Sequence, residues 1–334
     1  MWKTITYEVQ GRSHKTKDIP CQDKTYSNYE NNVHVIALAD GAGSAKFSHY
    51  GAEIAVKTIS NFLNNNFDNL IRNNDALKVK IELINTLNKK LKEKAQELSC
   101  ELKSLASTLL VTAIKEDHFI IIHLGDGTIG VIKNNKLMVV STPANGEYIN
   151  STIFTTTKNS FKYIKLFKGK TKDISGFILM SDGTANSFYS NKKKELSNAT
   201  KKIINWSVLL PKNNMKQLIE ETFNNLIINN TYDDCSVAII TNEKHKSNIY
   251  NTFQIHEKKE FYDIKTKDPK IYLKKIKANE NLLKELYKKQ INILELAKKF
   301  HIKKRYLKKK LNKFSNLGLI KKENKKYKLQ IQIK

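Results

Sequence analysis

Cysteine is scarce in this sequence and poorly spaced for structural work. Its three cysteines, Cys21, Cys100 and Cys235, are odd in number and form no CxxC pair. Neither a disulfide framework nor a zinc site is supported, and a reducing cytosol is the expected address. Long apolar runs are missing too. No stretch of about 18 apolar residues could span a membrane, and the opening MWKTITYEVQGRS lacks the apolar core of a signal peptide. Negative charge is also short, and the shortage is local. Residues 244–334 hold 28 Lys and Arg against 8 Asp and Glu, while the other 243 residues hold 31 against 24. Biased coding explains abundant lysine throughout, but not acidic residues that thin out toward one end. The asymmetry therefore marks a domain boundary and suggests a polyanionic partner for the tail. A chain of 334 residues fits two unequal domains.

Among what is present, Val33 to Ala55 stands out. VHVIALA reads as a buried strand. It stops at Asp40-Gly41 and runs through a Gly/Ser loop into a helix. A carboxylate at a strand end, beside a glycine able to lend its carbonyl, suits a hard cation such as Mg2+ or Mn2+. Taken singly, the same residues make an ordinary turn. The pattern recurs, however. Asp23 precedes a strand, Asp126 follows HFIIIHL, Asp182 follows FILM, and Asp233 leads into CSVAII. Strand ends can meet at one sheet edge, where such carboxylates would repel one another unless cations neutralise them.

Between these turns, Trp2–Gln10 reads as a strand and Gly11–Pro20 as a loop. Helices are expected over Tyr50–Phe62 and Asp75–Leu98, the second with Ile81, Ile84, Leu87, Leu91, Ala95 and Leu98 on its apolar stripe. Ser104–Ile114, His118–Leu124, Thr128–Ile132, Lys136–Ser141, Gly176–Met180 and Cys235–Ile240 read as strands. Pro143–Ser175 reads as loops and short strands, and Lys192–Ser207 and Asn214–Asn229 as helices. No Cys or Ser nucleophile motif is convincing, and Cys21 and Cys235 read as small buried apolar residues.

The ordered set CQD, ALADGAGSA, SLASTLLVTAI…HLGDG, FILMSDGTA and YDDCSVAII, together with GEYIN…TIF at Gly146–Phe154, resembles the metal-dependent protein phosphatases of the 2C class, closest to their compact bacterial branch. The resemblance covers Trp2 to Thr241. It implies an α+β fold, a four-layer α-β-β-α sandwich in which two antiparallel sheets are flanked by helices. It also implies a two-metal centre of Mn2+ or Mg2+, with a third, weaker ion, acting on phosphoserine and phosphothreonine in a phosphorylated protein. By position, Asp40 resembles the carboxylate that bridges the metals and Gly41 lends its carbonyl. Asp182 and Asp233 resemble ligands of one metal, Asp126 shares the third with Asp182, and Asp23 reaches metal-bound water. Asp40, Asp182, Asp233 and Asp23 are thus the expected catalytic set, and Asp234 reads as structural. Paired divalent ions acidify a water for in-line attack on phosphorus, so no protein nucleophile is required.

Two departures accompany the resemblance. Many members carry a phosphate-gripping Arg five residues before the first-motif Asp, where this chain has Asp18. Lys17, Arg12, His14 or Lys24 are the substitutes available, a lysine acting as a point charge without a bidentate fork. Eukaryotic members also place a His after Asp-Gly as general acid, and here Ala42 stands there.

The expected division is a phosphatase-like domain over 1–243, a charged connector over 244–278 and a winged helix-turn-helix-like domain over 279–334. In the last, ENLLKELYKK, ILELAKKF (capped by Asn292) and KKRYLKKKLNKFSNL read as helices. Gly318 stops the third, and LIKKENKKYKLQIQI reads as a hairpin turning near Glu323-Asn324. The third helix would present Lys303, Lys304, Arg305, Lys308, Lys309 and Asn312, and the wing Lys321, Lys322, Lys325 and Lys326. That face suits the DNA major groove and its phosphates, with Arg305 and Asn312 its only good base readers. Two other readings stay open: a catalytically weak phosphatase-like sensor in a DNA-binding regulator, and a phosphatase whose tail binds a protein partner.

Overall fold

The computed structural model describes all residues except 144–151, 289–292, 324–325 and 334, with backbone alone for Lys288 and Lys326. The chain divides into two compact units. Trp2–Ile204 and Lys216–Thr241 form the first. Asn205–Met215 and Asn242–Lys334, with Met1, form the second.

The first unit is built on two five-stranded sheets. One has the order β2 (Lys24–Glu30), β3 (Val33–Ala39), β4 (Leu109–Lys115), β5 (His118–Leu124), β8 (Lys165–Lys170). The other has the order β1 (Trp2–Val9), β12 (Cys235–Asn242), β9 (Ile174–Met180), β6 (Thr128–Lys133), β7 (Lys136–Ser141). The continuous apolar run of β3 follows from burial on both faces. Val33, Val35, Ala37 and Ala39 pack toward helices α2 (Ser48–Arg72) and α3 (Ala76–Glu97), against Val56, Ile59, Leu63, Leu83 and Leu87. The alternate residues Ile36 and Leu38 meet Leu110, Ile121, Phe177, Leu179 and Ile240 in the layer between the sheets. Each fully buried Ile or Leu there contributes about 1.5–3 kcal/mol. On the outer face of the second sheet, Phe223 of α6 (Lys212–Asn225) meets Tyr7 edge-on at 5.7 Å. Ile204 of α5 (Asn198–Leu209) lies over Gly176. The layers are helix, sheet, sheet, helix.

Several elements differ from the sequence reading. The Gly11–Pro20 loop contains a short helix, α1 (Arg12–Thr16). Helix α2 runs ten residues past Phe62, because Leu63, Phe67 and Leu70 continue its buried stripe. Asp75 caps α3 by accepting from the Lys78 N–H at 3.0 Å. The α3 stripe uses Val79 and Leu83, and Ile81 faces solvent. The polar, Thr-rich stretch read as loops and short strands does supply one strand, β8, at the sheet edge beside β5. A helix, α4 (Asp182–Phe188), starts at Asp182 itself, and the pair β10 (Tyr189–Ser190)–β11 (Glu195–Leu196) delays the helix expected from Lys192 until Asn198.

The second unit holds α7 (Lys246–Thr252), α8 (Ile255–Phe261), α9 (Pro269–Lys288), α10 (Ile293–Lys299), α11 (Lys304–Asn316) and the hairpin β13 (Ile320–Glu323)–β14 (Lys326–Leu329). Residues 244–278, read as a connector, thus carry α7, α8 and half of α9, with Ile249, Tyr250, Phe253, Phe261 and Tyr262 buried. The Tyr250 and Tyr262 hydroxyls meet at 2.5 Å, and Glu280 accepts from Tyr250 Oη at 3.1 Å and from Lys258 Nζ at 2.7 Å. Leu282, Leu283, Leu286, Leu307, Leu311 and Phe314 are buried. Helix α11 ends where Gly318 takes a φ of +69°, with the Leu319 N–H donating to the Phe314 carbonyl at 3.0 Å. The expected cap Asn292 lies outside the described residues. Among the described residues no helix is long and apolar enough to cross a membrane.

Candidate active site

Antiparallel pairing brings the acidic turns to one edge. Leu38 pairs with Leu110, and Leu109 with Leu124, so the end of β3, the start of β4 and the end of β5 are neighbours. In the other sheet Met180 pairs with both Thr128 and Val237, which aligns the end of β9 with the starts of β6 and β12. Asp40, Asp126, Asp182 and Asp233 lie within two residues of these ends and all line one cavity of about 510 Å³. Asp23, one residue before β2, is fully buried.

The backbone around Asp40 is held at both ends. Its N–H donates to Thr108 Oγ1 at 2.9 Å, and its carbonyl accepts from the Thr108 N–H at 2.8 Å. Gly41 donates to the Gln22 carbonyl at 3.2 Å, and a Cβ on it would stand 2.8 Å from Ser48. A glycine is required there for steric reasons. The loop beyond is pinned by Ala42 N–H to the Ala106 carbonyl and Phe47 N–H to the Ser104 carbonyl, at 2.9 and 3.0 Å. Thr152 Oγ1 donates to Asp126 Oδ2 at 2.6 Å. Ser181 and Ser236 tie β9 to β12, with Ser236 N–H donating to Ser181 Oγ at 3.1 Å.

Burial is the main force on the carboxyls. It raises Asp40 well above the usual range, and the charges of Asp23 and Asp182 add to it. Asp182 is raised to about 6 by burial and by the charge of Asp126. Burial also raises Asp23, opposed by the Ser236 hydroxyl and reinforced by Asp234. Asp40 and Asp182 are close enough to act on each other's titration, which favours a proton on one of them when no cation is bound. Neither oxygen of Asp23 has a partner in hydrogen-bonding geometry.

These features fit divalent cations. The donors are all hard oxygens, no lysine or arginine is among the described residues that line the cavity, and the oxygens of buried Asp23 lack a donor in hydrogen-bonding geometry. Among the described residues no three His, Cys, Asp or Glu side chains are gathered closely enough to hold a metal as they stand.

Asp234 behaves differently from its neighbour. Its Oδ1 accepts from the Gly11 N–H at 2.5 Å and its Oδ2 from the Gln22 N–H at 2.6 Å. It also lies 3.0 Å from His14 Nδ1. This buried carboxylate fastens segment 11–22 to the start of β12.

Of the phosphate-binding substitutes, only His14 lines the cavity. The Arg12 guanidinium is spent on the Thr231 and Asn229 carbonyls, at 3.1 and 3.2 Å, and stacks over Tyr232. Lys17 is exposed beyond α1, and Lys24 pairs with Glu8 at 3.5 Å. Thr108, Thr152, Asn186 and Tyr232 line the cavity without having been singled out from sequence. Thr152 belongs to the quoted TIF stretch, and the GEYIN half of that motif lies outside the described residues. Cys235 is buried, its thiol pushed up to about 12 by burial, and burial raises Cys21 further. Neither is a thiolate at neutral pH.

In the second unit Lys303, Lys304, Arg305, Lys308, Lys309 and Asn312 are exposed along α11, and Lys321 and Lys322 on the hairpin. Lys321 is paired with Glu323 at 3.0 Å. Lys325 and the Lys326 side chain lie outside the described residues.

Residues 10–224 match the sequence model of the family described as Protein phosphatase 2C. Serine/threonine-protein phosphatase 3 of Escherichia coli (strain K12) is 27% identical over 184 residues, covering 53% of this chain and 72% of the relative. The crystal structure of a bacterial serine phosphatase superposes with a TM-score of 0.52 at 17% identity, over 72% of this chain and 98% of that one. Serine/threonine phosphatase Stp1 from Staphylococcus aureus does so with a TM-score of 0.50 at 16% identity, over 73% and 96%. At such identities the solved structures speak for the fold alone, while the sequence model spans most of the first unit. The chain belongs to the protein phosphatase 2C family of serine/threonine phosphatases.

Proposed function

We propose that the cavity hydrolyses phosphoserine and phosphothreonine esters of a protein substrate with Mn2+ or Mg2+. The carrying observation is that Asp40, Asp126, Asp182 and Asp233 line one cavity, where burial and neighbouring carboxylates raise Asp40 and Asp182. Asp40, the Gly41 carbonyl, Asp182 and Asp233 would hold two ions, and Asp126 with Asp182 a third, weaker one. Bound there, the ions supply positive charge for the phosphoryl oxygens and a more acidic water. Asp23, buried near enough for its charge to act on Asp40, would orient water and take up a proton. Thr108 and Thr152 hold Asp40 and Asp126 in place. The test is turnover of an aryl phosphate by chelator-treated protein with and without added Mn2+. The reading expects activity only with the metal, and metal-independent turnover refutes it.

For the second unit we propose duplex DNA as partner. Its support is the exposed basic face of α11, with Leu307, Leu311 and Phe314 buried on the opposite side. Binding by the full chain should weaken steeply with salt; salt-insensitive binding, or none at low salt, refutes it.

A further inference from the structure

Cleavage of a phosphoserine or phosphothreonine ester releases an alkoxide, a leaving group too basic to depart readily at neutral pH. A proton donor beside the ester oxygen accelerates such a step by about 10²–10⁴. The cavity supplies one side chain suited to that task. His14 lines it, and its Nδ1 lies 3.0 Å from Asp234 Oδ1. Asp234 is 2% exposed and fixed in turn by the Gly11 and Gln22 N–H groups. The pair is not aligned as a hydrogen bond, so Asp234 holds the ring by charge and close contact rather than through a shared proton. The segment is rigid as well. Ile19 N–H donates to the His14 carbonyl at 2.9 Å, and Ser13 is tied to the Tyr232 carbonyl through its N–H at 3.0 Å and its Oγ at 2.7 Å. The charged groups around His14 are Asp234 against it, the cavity carboxylates Asp40, Asp126, Asp182 and Asp233, and Arg12 and Lys15 on its own helix.

We propose that His14, positioned by Asp234, is the general acid that protonates the departing seryl or threonyl oxygen; this rests on the phosphatase reading above. The P–O bond to that oxygen breaks with its electron pair remaining on oxygen, which takes the Nε2 proton and leaves as the alcohol. A water oxygen forms the new P–O bond, and the proton that it sheds passes through solvent to restore the imidazolium. The role differs from gripping the phosphate, because it depends on how basic the leaving group is.

The experiment compares kcat for a phosphothreonine peptide and for 4-nitrophenyl phosphate, with Mn2+, in wild type, His14→Gln and His14→Asn. The peptide's leaving group needs the proton and the nitrophenolate does not. The loss on the peptide is expected to exceed the loss on the aryl ester by about 30-fold or more, with thermal unfolding midpoints unchanged. Asp234→Asn should show the same split in its folded fraction. Equal losses on both substrates, or no loss on the peptide, overturn the assignment. If wild type turns over neither substrate, the phosphatase reading falls and this proposal with it.

Discussion

Replacing Asp182 by Asn should stabilise the metal-free protein while weakening its metal site. Asp182 ordinarily titrates at 3.8 and is raised to about 6 in the fold. The difference of about 2 units, at 1.36 kcal/mol each, amounts to about 3 kcal/mol. The sign follows from proton uptake. A carboxyl with a raised folded-state pKa stabilises the fold below 3.8, and that contribution is lost as pH rises through about 6. At pH 8 the metal-free wild type therefore bears the full penalty, whereas the Asn variant does not. For a unit of this size 3 kcal/mol corresponds to roughly 6–12 °C in Tm. Thermal unfolding in chelator, at pH 8 and at pH 5, measures it. The variant should be the more stable at pH 8, with the gap narrowing at pH 5. Added Mn2+ at about 100 times its Kd should return about 2.7 kcal/mol to wild type and much less to the variant. An Asn variant less stable than wild type in chelator at pH 8 would refute the claim that burial and the charge of Asp126 raise Asp182.

Asp234→Asn should lower stability by about 2–4 kcal/mol with or without Mn2+, since it weakens charge-assisted bonds to two backbone N–H groups; denaturant unfolding checks this. Gly41→Ala should cost about 1–3 kcal/mol, because its Cβ would stand 2.8 Å from Ser48, and it should weaken Mn2+ affinity in a calorimetric titration. In full-length protein Lys308→Ala and Lys309→Ala should each reduce the slope of log K against log salt for duplex DNA by about 0.9, whereas an unchanged slope would remove these residues from any phosphate contact.

Much of the first unit was legible because strands such as β3, β5 and β9 are short, apolar and followed by an acidic turn at Asp40, Asp126 or Asp182. Asp40 could be found from local pattern. What local pattern does not carry is pairing. Strand β8 (KLFKGK) has too few apolar residues to stand out, and only its register with β5 makes it a strand. The helix over Asp182–Phe188 was hidden by Gly183 and Asn186, weak helix formers that suit a first turn at a sheet edge. The site was legible in its carboxylates and illegible in its partners. Arg12 looked free because nothing in the sequence reveals that the Thr231 and Asn229 carbonyls, more than 200 residues on, would take its guanidinium. Asp234 and Asp233 are adjacent and chemically alike, yet one is occupied by backbone N–H groups and the other faces the cavity. Residues 244–278 read as a charged connector because their buried aromatic residues, Tyr250 and Phe253 and then Phe261 and Tyr262, are separated by polar and charged sequence. Only in three dimensions do Tyr250, Phe261 and Tyr262 meet.

The central claim is that the carboxylate cavity is a divalent-cation centre for phosphoester hydrolysis. The most direct measurement is phosphate release from a phosphothreonine peptide as Mn2+ is titrated into chelator-stripped protein, in wild type and Asp40→Asn. Wild type should rise from baseline to a metal-saturated rate, and the variant should lose at least about 10²-fold at any Mn2+ concentration. Equal rates in the two proteins, or a wild-type rate indifferent to Mn2+, would contradict it.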